Sequence, residues 1–376
     1  MTPDVSNPSP DEAAAIPTRM TGVVLTGHGG MDKLVYREDL PVPRPGPGEV
    51  LIRVAAAGVN NTDINTRIGW YSKQVTAGTE SGGLGGFQSA GDADATWSGT
   101  AMAFPRIQGA DCCGRIVAVG EGVDTGRVGE RVVVRNMLRT YVDYRPFQCW
   151  TFGSECDGGF AQYAKAPARE TYRVDCGWSD VELASMPCAY STAEGMLHRA
   201  NVGRGEHVLI TGASGGVGSA AIQLARRRGA TVTAVAGRGK AEHLLALGAD
   251  RVLPRGESIV GKLGIETVDV VLDVAAGPGF GELLDVLRKG GRYAVAGAIA
   301  GPIVELDVRT LYLKDLTFFG CTFQDDAVFE NLVSYIERNE IRPLVARTYP
   351  LKEIAQAQTD FLAKGTIGKL VLVIPE

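Results

Sequence analysis

The stretch from His207 to Arg238 constrains the fold more than any other part of the chain. An apolar run, Val208-Leu209-Ile210, leads into Thr211-Gly212-Ala213-Ser214-Gly215-Gly216-Val217-Gly218 and then into an apolar pattern of helical period. Strand, glycine turn and helix in that order form a phosphate-cradling βαβ unit, in which the free N–H groups of the helix N-terminus face a pyrophosphate. The glycines have separate expected roles: Gly212 permits a tight turn, Gly215 and Gly216 admit the phosphates, and Gly218 lets the helix pack close to the sheet. Ser214 and Val217 are the other turn residues expected to line the nucleotide. The spacing Gly-x-x-Gly-Gly-x-Gly departs from the plain dinucleotide pattern, and a bare glycine turn can be a simple connector. The flanking strand and helix favour the nucleotide.

The second strand of this unit, 231–236, lies about twenty residues on, where NAD-binding units place a carboxylate against the ribose hydroxyls. Here it runs into Gly237-Arg238-Gly239-Lys240. No carboxylate stands there, and Arg238 and Lys240 are cations suited to a 2′-phosphate, which predicts NADPH as cofactor. The plainer alternative is that both are solvated charges opening the next helix.

A chain of 376 residues is long enough for two domains. A formal charge of -5 without a basic run argues against nucleic acid or an anionic membrane as partner. No apolar stretch approaches the length of a membrane span. Residues 1–20, rich in Pro, Ser and Ala, read as a disordered tail rather than a signal peptide. Seven cysteines without a disulfide framework fit a reducing compartment, so a cytoplasmic location is expected.

Residues 21–176 read as β-rich, with short alternating runs between Pro and Gly turns. From about Ser179 strands alternate with helices, with strands expected at 208–211, 231–236, 251–254, 269–274, 292–296 and 316–320. That is the signature of a doubly wound parallel sheet of the Rossmann type, an α/β class, over 177–322. The remainder, 323–376, is expected to return to the first domain, with helices near 325–338 and 352–364 and a last strand at 369–374. The Gly-, Ser- and Thr-rich segment 73–103 is long for a structureless loop; a lid and a tolerated insertion are equally open.

The chain resembles the medium-chain dehydrogenase/reductase superfamily from Thr21 to Pro375, and within it the zinc-independent quinone oxidoreductases. The likeness is carried by Pro47-Gly48-Glu49-Val50-Leu51-Ile52, Gly58-Val59-Asn60-Asn61-Thr62-Asp63, Gly109-Ala110-Asp111-Cys112-Cys113-Gly114, Val119-Gly120-Glu121-Gly122-Val123, Gly129-Glu130-Arg131-Val132, the glycine turn and Leu311-Tyr312-Leu313-Lys314-Asp315-Leu316. It implies a GroES-like β-rich catalytic domain beside the Rossmann domain, with the active site in the cleft between them. It further implies Thr192 near the nicotinamide, Val274 and Ala275 near its ribose, and Gly297, Ala298, Ile299 and Cys321 near the carboxamide. A homodimer is implied as well, with 300–320 the expected contact.

Set against zinc-dependent relatives, the positions matching a Cys, a His and a Glu ligand are Asn60, Ala110 and Asp111, and only Cys188 keeps a ligand type. One thiolate and one distant carboxylate do not make a catalytic zinc site, so no metal is expected, and Cys188 is read as a packed side chain. The four-Cys run of a structural zinc lobe is also missing. Without a Lewis acid, a conjugated C=C beside a carbonyl, or a quinone, is the acceptor whose developing charge hydrogen bonds can carry. Thr62 and Asn60 are the expected donors, with Tyr71 stacking on substrate or filling the cleft, and Asp63 and Arg67 an internal ion pair. Two rivals stay open: an alcohol or aldehyde dehydrogenase with an atypical metal at Cys188 and Asp111, and a non-catalytic NADPH-binding protein.

Overall fold

A computed structural model describes residues 16–91 and 93–376. Most of the tail expected over 1–20 lies outside the described residues, and its boundary moves: Arg19 and Met20 already belong to the strand Arg19–Leu25.

The parallel sheet has six strands in the order Arg251–Pro254, Thr231–Ala236, His207–Ile210, Val268–Asp273, Leu287–Val295 and Thr317–Gly320. Each neighbouring pair is parallel. His207–Ile210 lies where the winding reverses, with Thr231–Ala236 on one side and Val268–Asp273 on the other. Ligands of open α/β sheets bind in the crevice beyond the strand ends at such a reversal, so the topology puts the glycine turn at the ligand's place.

The second sheet runs Thr171–Arg173, Arg131–Val134, Cys113–Val119, Glu49–Val59, Lys369–Val373 and Val345–Pro350. Its central strand, Glu49–Val59, is buried at nearly every position and also pairs with Tyr163–Pro167. The last strand lies antiparallel to it, with Leu370 opposite Val59, which carries Lys369 to the level of Asn60. The return to this domain starts later than residue 323. The helix Asp326–Glu337 buries Phe329, Leu332 and Ile336 in the same cluster as Tyr190, Ile210 and Ala220, so it belongs to the core of the nucleotide domain.

Among the described residues of the segment 73–103, Gly78 and Thr79 reach across the cleft. Thr79 donates its N–H to Ile299 O (3.2 Å) in the nucleotide domain and its hydroxyl to Asn65 Oδ1 (3.0 Å) in the catalytic one. Gly78 has to be small: a Cβ there would lie 2.5 Å from Ile299 O. The fully buried Arg67 anchors the segment from behind. Its guanidinium donates to Gly29 O (2.7 Å), Gly83 O (2.5 Å) and Gln358 Oε1 (2.8 Å), joining four chain segments. Burial lowers its pKa to about 10, so it remains charged at neutral pH. Arg67→Met strands those acceptors and is expected to lower unfolding stability by about 3 kcal/mol or more, read from urea titration; an unchanged midpoint would contradict the anchoring role.

Candidate active site

The strand Glu49–Val59 ends at Asn60, an extended residue that caps the helix Asn61–Ile68; Gly69, at φ +73°, closes that helix in the left-handed region where glycine is favoured. Asp63 fixes the entry. Its carboxylate accepts the Asn60 N–H (2.7 Å) and the Ala110 N–H (3.1 Å). Burial pushes the Asp63 carboxyl up to about 7, against those two N–H groups. Asp63 and Arg67 therefore brace different neighbours, and the expected ion pair between them does not form.

Behind this cap lies a charge cluster that crosses the whole sequence. Lys369 Nζ donates to Asp111 Oδ2 (2.9 Å) and to Asn60 Oδ1, with the lysine side chain 3% exposed and the aspartate 0%. Asn60 Nδ2 donates to Asp111 Oδ2 (2.8 Å) and Gly58 O (3.3 Å), and Asp111 Oδ1 accepts the Cys188 N–H (2.6 Å). Gly58 accommodates the cluster, since a Cβ there would lie 2.4 Å from Asp111 Oδ2. An ammonium only donates and a carboxylate only accepts, so the orientation of the amide is fixed. Asn60 is thereby corrected as a substrate donor: both of its N–H groups serve the protein.

The same geometry tests the site for zinc. Three of the positions where zinc-dependent relatives carry ligands are Asn60, Asp111 and Cys188, and the first two already converge on an ammonium. Burial, then the Asp111 charge, hold the Cys188 thiol well above its ordinary range, with Lys369 opposing. A catalytic zinc needs deprotonated thiolate and free lone pairs. These residues do not fit it.

Thr62 and Tyr71 form a hydroxyl pair at this helix. Tyr71 donates its O–H to Thr62 Oγ1 at 3.0 Å, and burial keeps the Tyr71 phenol protonated far above neutral pH. The Tyr71 ring packs edge-on against Trp97 from the 73–103 segment (5.2 Å) and against Trp70 (5.6 Å). Thr62 is the second residue of its helix, where the N-terminal N–H groups favour negative charge.

On the nucleotide side, Gly212 takes φ +56° in the turn. The roles of its neighbours shift from those expected. A Cβ on Gly218 would strike Gly212 O at 2.4 Å, so this glycine packs against the turn itself. One on Gly216 would meet the Lys369 Cδ at 2.8 Å, so Gly216 makes room for the lysine stem. Gly215, the cap of the helix Gly216–Arg227, has no neighbour closer than 3.5 Å to an added Cβ, which leaves the phosphate face open at Gly215 and at Ser214 and Val217 beside it. The turn fits a pyrophosphate. The buried Asp273 shapes the far wall: it accepts from Thr211 Oγ1 (2.5 Å), Tyr293 Oη (2.5 Å) and the Ala275 N–H (2.8 Å). Val274 and Ala275 are thereby held against Gly297, Ala298 and Ile299, with Ala300 N–H on Ala275 O (2.9 Å). Cys321 is buried beside Val295, and Thr192 donates its hydroxyl to Cys188 O (2.7 Å).

The two expected phosphate cations differ. Arg238 is 81% exposed and pairs with Glu257 (3.1 Å). Lys240 stands on the turn with its three N–H groups donated to Ser214 Oγ (3.2 Å), Lys364 O (2.7 Å) and Thr366 O (3.0 Å), so it can offer a phosphate its positive charge, paired with no carboxylate among the described residues, but no free N–H. Lys364 and Arg255 lie near Lys240: burial lowers the Lys364 pKa, the Glu80 carboxylate opposes that, and the Lys240 and Arg255 charges lower it further.

Sequence reasoning missed Lys369, Asp111 as its partner, Arg255 and Lys364. A lone lysine opening the apolar run Leu370-Val371-Leu372-Val373 was the one signal available for the first of these.

The chain matches the model of the alcohol dehydrogenase GroES-like domain over residues 46–175 and that of the zinc-binding dehydrogenase domain over 216–338. It is 30% identical to a quinone oxidoreductase of Lama guanicoe over 369 residues, covering 94% of this chain and 98% of the relative. It is 29% identical to an acryloyl-coenzyme A reductase of Metallosphaera sedula, at 94% and 99% coverage. A solved structure of a putative alcohol dehydrogenase from Sinorhizobium meliloti, 47% identical, superposes with a TM-score of 0.85 over 96% of this chain and 98% of the other. The chain belongs to the medium-chain dehydrogenase/reductase family of pyridine-nucleotide-dependent oxidoreductases.

Proposed function

We propose that this protein is an NADPH-dependent, metal-independent reductase of quinones or α,β-unsaturated carbonyl compounds. The observation that carries the reading is the buried Lys369–Asp111–Asn60 cluster at the family's metal position; the reading then gives the charge-stabilising role to the Thr62–Tyr71 hydroxyl pair at the start of the adjoining helix. The names of the quinone oxidoreductase and acryloyl-coenzyme A reductase relatives support the same class of acceptor.

NADPH, when bound, supplies the hydride. Thr62 accepts from Tyr71, so its own O–H remains free to donate to the substrate oxygen on which charge builds. Conjugation spreads that charge into an enolate or hydroquinone oxygen, which a hydroxyl at a helix N-terminus can stabilise without a metal. Tyr71 stays protonated and orients Thr62 through its O–H, with Trp97 and Trp70 flanking its ring, and the proton that completes the reduction is supplied by solvent water after hydride transfer. An alcohol or aldehyde dehydrogenase using metal at Cys188 and Asp111 is disfavoured because the Asp111 oxygens already serve Lys369, Asn60 and the Cys188 N–H.

A homodimer through the edge strand Thr317–Gly320 is part of the proposal. In the segment just before that edge strand, Ile303 is 69% exposed, Leu313 63%, and Val308 and Tyr312 each 59%, apolar side chains that a second copy could cover.

Thr62→Val is expected to lower kcat with an enone or quinone about 100-fold or more, and Tyr71→Phe by less, in an NADPH-oxidation assay; full activity of Thr62→Val would overturn the donor assignment. Lys240→Ala should cut the NADPH-over-NADH preference in kcat/KM by about tenfold or more, the loss of about 1.4 kcal/mol of phosphate binding. Arg238→Ala should do less. Leu313→Asp should shift the mass measured by light scattering from dimer to monomer, and a native monomer would refute the interface.

A further inference from the structure

Thr79 is fully buried and is bonded to both sides of the cleft. Its N–H donates to Ile299 O (3.2 Å), and Ile299 and Ala300 are tied in turn to Val274 and Ala275 through the Ile299 N–H on Val274 O (3.4 Å) and the Ala300 N–H on Ala275 O (2.9 Å). This is the wall expected to meet the nicotinamide end of the cofactor. The Thr79 hydroxyl points the other way, donating to Asn65 Oδ1 (3.0 Å) on the helix that carries Thr62. With the amide oxygen of Asn65 so occupied, its N–H₂ end is left for other partners. Tyr71 is one of them: burial raises the phenol pKa most, while hydrogen bonding by Thr62 and then by the Asn65 side chain opposes it. Tyr71 donates onward to Thr62 Oγ1 (3.0 Å). Ile299, Thr79, Asn65, Tyr71 and Thr62 are thus linked in that order, from the nicotinamide wall to the hydroxyl pair. The turn that presents Thr79 is held at both ends. Arg67 donates to Gly83 O (2.5 Å), and Gly78 lies so close to the wall that a Cβ on it would sit 2.5 Å from Ile299 O and 3.1 Å from the Ala300 carbonyl carbon.

We propose that Thr79 is a positioning residue of the reducing site: its backbone N–H on Ile299 and its hydroxyl on Asn65 set the spacing between the nicotinamide wall and the Tyr71–Thr62 pair. Thr79 touches neither acceptor nor hydride and acts through Asn65 and Tyr71. The proposal rests on the reading of Thr62 and Tyr71 as the groups that stabilise charge on the acceptor. Hydride transfer needs donor and acceptor carbons in near-contact while the acceptor oxygen meets its hydrogen-bond donor, so a strut of fixed length between the two walls matters to the chemical step more than to binding.

The test compares Thr79→Val, which keeps the shape and loses the hydroxyl, with Thr79→Ser, which keeps the hydroxyl and loses the methyl. In NADPH oxidation with an enone or quinone, Thr79→Val is expected to lower kcat about tenfold or more with the acceptor KM within about twofold of native, and Thr79→Ser to stay within about twofold in both. Native kcat in Thr79→Val would overturn the proposal. So would a Thr79→Ser variant as slow as Thr79→Val, because packing alone would then explain the residue. Gly78→Ala is the second variant and decides the matter should Thr79→Val fail to fold. Gly78 has backbone angles that alanine adopts freely (φ −68°, ψ 160°), so the added Cβ wedges the walls apart without touching the hydroxyl chain. It too is expected to lower kcat about tenfold, and native kcat would overturn the strut. A native protein that reduces no enone or quinone would refute the reductase reading instead, and amide exchange would still judge the strut. The Thr79 N–H is expected to exchange about tenfold or more faster in Gly78→Ala than in native protein, and equal exchange would overturn it.

Discussion

The pairing of Lys369 with Asp111 and Asn60 is the interaction on which the rest of the site depends. It joins the last strand to the loop after Glu49–Val59 and to the segment that carries Asp111, respectively 309 and 258 positions away in the chain. An ion pair of this kind adds little net stability over a well-packed apolar equivalent, but breaking it from one side is costly because a charge is left buried. Its value here is specificity. It fixes which way Asn60 faces, hence where the helix Asn61–Ile68 starts, hence where Thr62 and Tyr71 stand.

The same segment of chain also touches the cofactor turn. Lys240 holds the carbonyls of Lys364 and Thr366, Gly368 donates to Ser214 O, and the Lys369 stem lies on Gly216. Residues 364–369 thus run from the expected 2′-phosphate position past the pyrophosphate turn to the cluster behind the hydroxyl pair. Across the cleft, Thr79 spans from Asn65 to Ile299. Cofactor binding and the geometry of the reducing site rest on shared backbone, so disturbing one is expected to be felt at the other.

Local features were legible in the sequence because they are governed by near-neighbour chemistry. Six parallel strands, the glycine turn and the final strand follow from apolar periodicity and from the conformational freedom of glycine, and Gly212 at φ +56° is the turn residue expected. What the sequence hid is what depends on distant partners. Asn60 looked like a free amide because nothing nearby in the chain shows the lysine that holds its oxygen. Gly216 looked like a phosphate-facing glycine, yet a side chain from the last strand needs its space. Arg238 and Lys240 looked alike, and only the fold separates an exposed arginine paired with Glu257 from a lysine set on the turn. The helix Asp326–Glu337 read as part of the return because its period shows that one face is buried, but not which core takes it.

In the proposed reaction, charge from hydride addition is carried by a conjugated oxygen against a hydroxyl rather than by a metal. The most direct measurement follows the label from NADPH deuterated at the transferred C4 position into an enal substrate, with protein shown by elemental analysis to be metal-free. Deuterium at the β-carbon of a saturated carbonyl product is the predicted result. Deuterium on the carbonyl carbon of an allylic alcohol, formed only when metal is restored, would rule out the metal-free conjugate reduction.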